Sequence, residues 1–382
     1  MTPYATLAYF AILAILLIPS VVAGLKGRSF HIYNSILTVV ILAITFGHKP
    51  DQVIALVIFV VWQCLLVKGY LRYRQQKNQA SIFYLAVILS ILPLGIVKFS
   101  PYFTVDNIGF LGISYLTFKA VQMVIETRDG RIKAVTLYRF LRFLLFFPTF
   151  TSGPIDRFRR FEKDIEKVPS PEEYKTMLYT GINRIFQGFL YKFIIAYVIH
   201  QHVMSLPLLK ENTAVSIWLY MYAYSMYLFF DFAGYSAFAI GASYFLGIKT
   251  PENFNMPFIS RNIKDFWNRW HMTLSFWFRD FIFMRFVFYM TKKKVIKDRY
   301  LISYMGFFVN FLVMGIWHGP FPHYIVYGLY HAALFILFDL FERSNKKRHF
   351  WPDNRLTHVL SIIITFHFVC FGFLIFSGRL FQ

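Results

Sequence analysis

Two histidines sit in apolar, aromatic sequence where ionisable groups are scarce. His271 lies in Phe266-Trp267-Asn268-Arg269-Trp270-His271-Met272-Thr273-Leu274-Ser275, and His318 in Met314-Gly315-Ile316-Trp317-His318-Gly319. An ionisable side chain at membrane depth is costly unless it finds a partner or lines a cavity, so its default reading is functional. His318 ends a long apolar run and precedes Gly319-Pro320-Phe321-Pro322, which cannot continue a regular helix. Gly315 and Gly319 leave room for a backbone or a substrate to approach. A neutral imidazole there can take a proton near physiological pH; the alternative is a capped, buried histidine. For His271, a hydrogen-bonded core histidine of an interfacial helix is an equally good reading. The sequence has no Gly-x-Ser-x-Gly elbow, no His-x-x-x-His zinc spacing and no phosphate-binding glycine loop. Acyl transfer from an activated thioester to a hydroxyl needs little beyond a base and oxyanion donors. A dry, walled interior would suppress hydrolysis and strengthen those contacts.

The elements that must hold these imidazoles are membrane helices. Of 382 residues, 57% are hydrophobic and 15% charged, where a soluble domain carries about 25% charged. Apolar runs recur at 7–23, 35–46, 53–67, 82–97, 302–317, 324–340 and 359–376. A bilayer core of about 30 Å takes roughly 20 helical residues, fewer where the membrane thins. The chain reads as an all-α polytopic membrane protein. With no Pro- or Ser-rich linker and no internal repeat, it reads as a single domain over 1–382. The first run reads as one span among many, since no small-residue cleavage site follows it.

The formal charge of +21 does not point to nucleic acid, because Lys and Arg fall in short loops between apolar runs. Segments 68–77, 128–142, 157–175, 292–299 and 343–355 are basic and read as cytoplasmic. The connections at 48–52, 100–107, 201–212 and 319–323 read as outside. Counting through them gives about ten or eleven crossings, with both termini extracellular in the cell membrane. Cys64 and Cys370 lie in separate apolar runs with neither metal-ligand nor redox spacing.

Two stretches break the span pattern. Residues 140–150 are apolar but short, and they run into Pro148-Thr149-Phe150-Thr151-Ser152-Gly153-Pro154, which reads as a re-entrant element. Residues 251–290 mix aromatics with Arg261, Lys264, Asp265, Arg269, Asp280 and Arg285. They read as short helices packed under the membrane surface or dipping into it. Taken as one helix over 265–280, Asn268, Met272, Ser275 and Arg279 share a face, with Trp270, Thr273 and Trp277 on another. Asp231 reads first as a structural residue capping a helix break beside Gly234. Its second reading is an acceptor that orients a motif histidine or arginine.

Phe230-Asp231-Phe232-Ala233-Gly234-Tyr235-Ser236, Pro251-Glu252-Asn253-Phe254-Asn255, the run 266–280 and Trp317-His318-Gly319 occur in that order. Together they resemble the membrane-bound O-acyltransferase family over nearly the whole chain, and most of all its branch serving teichoic acid D-alanylation. The resemblance implies a ring of about eleven transmembrane helices, long enough each to span, with re-entrant and short cytoplasmic-side helices around a central funnel and tunnel. It implies His318 as the catalytic histidine and His271 as the second motif histidine, with Trp317, Asn268, Trp270, Ser275 and Asp231 along the tunnel. The implied donor is D-alanine as a thioester on the phosphopantetheine of a small carrier protein, DltC, with no cofactor or metal held by the chain itself. Implied partners are DltD, a small helper peptide and lipoteichoic acid as final acceptor.

Carriers of this kind are acidic, so a basic cytoplasmic surface is expected to receive one. The run 279–294 offers Met284, Val287 and Phe288 at three- and four-residue steps, with Arg285, Lys292 and Lys293 as steering charges. The same lysines also fit a role in fixing topology or touching anionic lipid. Three rival functions stand beside this one. An alginate-type polysaccharide O-acetyltransferase would differ in its donor. A transporter would show paired repeats with broken helices. A non-catalytic scaffold would have no need of His318.

Overall fold

A computed structural model describes residues 1–103, 109–294 and 296–381; the outside connection expected at 100–107 lies partly outside them. Among the described residues the chain is helical and contains no strand. Among the described residues, seven helices are long and apolar enough to cross a membrane: α1 (Leu7–Leu25), α3 (Pro50–Gln76), α4 (Ala80–Phe99), the segment Pro171–Val203, α14 (Arg299–His318), α15 (Pro322–Arg348) and α16 (Arg355–Phe376). α2 (His31–Phe46) is apolar but shorter. The segment Pro171–Val203 opens as α8 (Pro171–Gly188) and widens into π-helix at Phe189–Ala196 and Ile199–Val203. A single turn, α9 (Pro207–Lys210), leads to α10 (Ala214–Phe245). At 32 residues α10 is about 48 Å long, ample to span, but its tyrosines and serines dilute its apolar character. The all-α, multi-pass membrane architecture expected from composition is therefore present.

The chain gathers into two compact units, each described by itself: Met1–Phe189 with Gly234–Pro251, and Leu190–Ala233 with Glu252–Gln382. In the first unit, α5 (Ile113–Arg128) is buried along nearly its whole length. Polar side chains tie its neighbours together, as helices in lipid require. Gln63 on α3 donates to the Ser90 carbonyl on α4 (2.8 Å), and the Ser90 hydroxyl donates back to Gln63 (2.9 Å). Ser20 on α1 donates to Asn34 on α2 (2.9 Å), whose amide donates to the Leu246 carbonyl (3.0 Å).

The stretch expected to be re-entrant is short helix α6 (Leu137–Leu144), then a turn at Phe147–Thr149 and irregular backbone to helix α7 (Phe158–Glu166). Its phenylalanines 140, 143, 146, 147 and 150 are buried. Irregular backbone in such surroundings must be satisfied by protein. The ammonium of Lys119 on α5, 1% exposed, does this by donating to the carbonyls of Phe143 (3.2 Å) and Leu144 (3.4 Å) and to Thr149 Oγ1 (3.1 Å). Gln122, one turn on, donates to the Asp156 carbonyl (3.0 Å).

In the second unit, α14 and α15 form a hairpin at backbone contact. A Cβ added at Gly328 would stand 2.3 Å from the Phe311 carbonyl oxygen, and one at Gly315 2.5 Å from that of Tyr324. Only glycine permits the two backbones to approach so closely. Asp298 caps α14, and Asn354 with Thr357 makes a reciprocal capping box on α16.

Candidate functional site

The hairpin fixes where His318 stands. It is the last residue of α14; Gly319 leaves the helix in extended conformation and Pro322 opens α15. Its half-buried ring lies 4.4 Å from Trp317, 4.9 Å from Phe376 on α16, and 5.8 and 6.1 Å from Tyr324 and Tyr327 on α15. The helix end and the aromatic wall together fix where the imidazole stands.

His271 is held by another device, and here the expected single helix over 265–280 is corrected. The chain instead forms α11 (Ile263–Trp267) and α12 (Met272–Phe278), broken at His271, which is left-handed at φ 41° and ψ 51°. Buried Asn253 causes the break. Its carbonyl accepts the Met272 N–H (2.8 Å) and its side-chain oxygen accepts the Thr273 hydroxyl (2.6 Å). The Arg269 carbonyl accepts from Asn255 N–H (2.9 Å). A left-handed non-glycine costs about 1 kcal/mol or more and persists only where surroundings enforce it. His271 is 4% exposed, with its ring edge-on to Phe232 at 4.7 Å. Its Nε2 has no hydrogen-bond partner among the described residues. Burial, and then the nearby charge of His318, push its pKa down to about 3, so the ring is neutral. The two motif histidines therefore stand close enough to interact electrostatically.

The other expected tunnel residues fall into different settings. Trp317 is half-buried beside His318, and Ser275 is half-buried on α12. Trp270 is a packing residue, enclosed by Phe373 (4.6 Å), Phe254 (5.1 Å) and Phe266 (5.6 Å). Asn268 is exposed where it caps the end of α11. Asp231 neither caps a helix break, since α10 continues through Gly234, nor binds a motif histidine. It forms a half-buried ion pair with Lys192. A carboxylate in apolar surroundings needs a cation, and Lys192 is the one supplied.

On α13 (Met284–Lys293), Met284 and Phe288 lie one turn apart and are 53% and 69% exposed. Val287 does not share that free face: it packs on α14, where a Cβ at Gly306 would stand 3.0 Å from its Cγ2. Arg285 is half-buried, and Lys292 and Lys293 are exposed.

Sequence reasoning passed over Lys119, Lys192 and His331. His331 is completely buried on α15 and accepts from the Trp267 indole N–H (3.3 Å). The signal that singles out His318, an ionisable group within apolar sequence, applies equally to all three.

The sequence profile of the membrane-bound O-acyltransferase family matches residues 29–380. A teichoic acid D-alanyltransferase of Bacillus subtilis (strain 168) is 56% identical over 392 residues, covering 100% of this chain and 99% of the relative. One from Lacticaseibacillus rhamnosus is 47% identical over 397 residues, with coverage of 99% and 97%. A probable alginate O-acetylase, AlgI, of Pseudomonas aeruginosa is 30% identical over 270 residues, covering 70% of this chain and 49% of the relative.

Proposed function

The chain belongs to the membrane-bound O-acyltransferase family and is an acyltransferase, and from that premise we propose that it transfers D-alanine towards teichoic acid. One observation carries the choice of acyl group. The likeness to two teichoic acid D-alanyltransferases runs end to end in both partners, whereas the alginate O-acetylase likeness covers 49% of that relative.

The donor in this reading is D-alanine thioesterified to the phosphopantetheine of the acidic carrier DltC. Exposed Met284 and Phe288 meet the carrier's apolar helix, while Lys292 and Lys293 steer its charge. DltD and a small helper peptide act on the extracellular side, where both termini lie, and lipoteichoic acid is the final acceptor. His318 takes the proton of the acceptor hydroxyl as that oxygen forms the ester bond to the D-alanyl carbonyl carbon. The carbon–sulfur bond breaks, and His318 returns the proton to the departing thiolate. His271, neutral and with Nε2 lacking a partner among the described residues, offers a hydrogen-bonding position beside the reacting groups.

The test is reconstitution of the purified protein in liposomes with carrier loaded with labelled D-alanine and lipoteichoic acid as acceptor. Label is expected to enter alkali-labile ester on the polymer, and acetyl-loaded carrier is expected to give none. Acetyl transfer with D-alanine left on the carrier would overturn the reading in favour of an O-acetyltransferase.

A further inference from the structure

The two motif histidines stand on different elements, and side-chain hydrogen bonds join those elements: Lys264 on α11 donates to Asp339 (3.3 Å) and Glu342 (3.1 Å) on α15, and Trp267 bonds to α15 nearer the histidines. Trp267 is the last residue of α11, four residues before left-handed His271. Its indole N–H donates to Nδ1 of His331 on α15, at 3.3 Å. His331 is 0% exposed, edge-on to Trp267 (5.2 Å) and to Tyr327 (4.6 Å), and stacked on Phe311 (5.9 Å). Tyr327, one turn earlier on α15, reaches the His318 ring at 6.1 Å. His331 thus stands where the turn bearing His271 meets the hairpin bearing His318.

The protonation of this ring follows from its partner. An Nδ1 that accepts from an indole carries no proton, so the imidazole is neutral with its hydrogen on Nε2. Nε2 has no hydrogen-bond partner among the described residues and faces Gly372, where a Cβ would stand 2.8 Å away. A phenylalanine would fill such a place without burying an unmet polar atom. What histidine adds is one acceptor aimed at Trp267.

We propose that His331 is a positioning residue for acyl transfer: through Trp267 it holds the His271 turn in register with the His318 end of the α14–α15 hairpin. The inference rests on the reading of His318 and His271 as the transfer site. It goes beyond that reading by giving a third histidine a task that involves no contact with substrate.

The experiment uses the full-length purified chain with D-alanyl carrier as donor. His331→Phe keeps the aromatic volume and removes the acceptor. His331→Asn puts an amide oxygen where Nδ1 was, and His331→Gln puts one where Nε2 was. His331→Phe and His331→Gln are expected to lower kcat about tenfold or more, as small misplacements do, with carrier KM and melting temperature unchanged. His331→Asn is expected to recover to within about threefold of wild type, the residual cost of an imperfect hydrogen bond. Trp267→Phe should fall as far as His331→Phe, and the double variant no further. Wild-type kcat in His331→Phe, no recovery in His331→Asn, or a loss that tracks melting temperature would each overturn the proposal. His318→Ala, assayed alongside, separates the two claims. If it stays active, the reading of the site fails. If it is inactive while His331→Phe is normal, only this inference fails.

Discussion

Two stretches of irregular backbone interrupt the helices, one in each unit, and different side chains close them. In the first unit, residues 145–157 are held largely by ionisable side chains. Lys119 donates to the Phe143 and Leu144 carbonyls and to Thr149, and Arg160 pairs with Asp156 and with Asp164 (2.8 Å). In the second, residues 252–272 combine ion pairs on and around α11, Arg269 with Asp265 (2.7 Å) and Lys264 with Asp339 (3.3 Å) and Glu342 (3.1 Å), with neutral contacts at the His271 turn: Asn253 against Met272 and Thr273, Asn255 against Arg269, and the aromatic packing around Trp270. Ionisable groups consumed in closing a backbone are not available to a substrate. At the turn in the second unit the His271 imidazole is enclosed, uncharged and without a partner at Nε2 among the described residues.

The largest effect expected from this contrast falls on Lys119. Lys119→Met would leave two carbonyls and a hydroxyl without their donor, at about 1–3 kcal/mol for each unmet buried group. Loss of the monodisperse peak after detergent extraction is expected; a variant that purifies with wild-type melting temperature would break the first half of the comparison. Next come the exposed apolar residues of α13. Met284→Asp with Phe288→Asp should weaken carrier binding about tenfold or more, as loss of apolar anchors does, with folding intact. Val287→Asp should instead lower the melting temperature, because that side chain packs at Gly306. Calorimetric titration and thermal scans separate the two outcomes.

In the second unit, Asn253→Ala keeps the carbonyl that receives Met272 but removes the side-chain oxygen that receives the Thr273 hydroxyl. A stability loss of about 1–3 kcal/mol is expected, together with reduced transfer at unchanged carrier affinity. Equal activity would show that the turn holds without it. The smallest effect is on pH dependence. His271 falls from 6.5 to about 3 on folding, so on acidification the unfolded chain binds a proton before the folded one does. Its contribution is complete above 6.5 and declines as pH drops toward the folded value, by about 2 kcal/mol between pH 7 and 5. Thermal scans across that range should be flatter for His271→Asn than for wild type. Identical slopes would contradict the neutral, enclosed ring.

Helices α1, α3, α4, α14, α15 and α16 were legible because apolar runs of spanning length are a local signal. α10 was less so, since its tyrosines and serines dilute that signal. The left-handed break at His271 was not legible. It is imposed by Asn253, 18 residues earlier, through contacts that no helical period contains. The Asp231–Lys192 pair and the Val287–Gly306 contact are non-local in the same way, which is why Asp231 was given the wrong partner and Val287 the wrong face. Trp270 was expected along the tunnel but is enclosed by the rings of Phe229, Phe254, Phe258, Phe266 and Phe373. The place of His318 at the end of its helix was legible because a glycine and two prolines follow it in the sequence itself.

The most direct measurement is single-turnover transfer from D-alanyl carrier to an acceptor hydroxyl by wild type and His318→Ala at equal carrier occupancy. A rate lower by about 10²–10⁴, the usual worth of a general base, is expected, with carrier affinity and melting temperature unchanged. A His318→Ala rate within about threefold of wild type, too small for the loss of a catalytic base, would contradict the assignment of that imidazole to the chemistry.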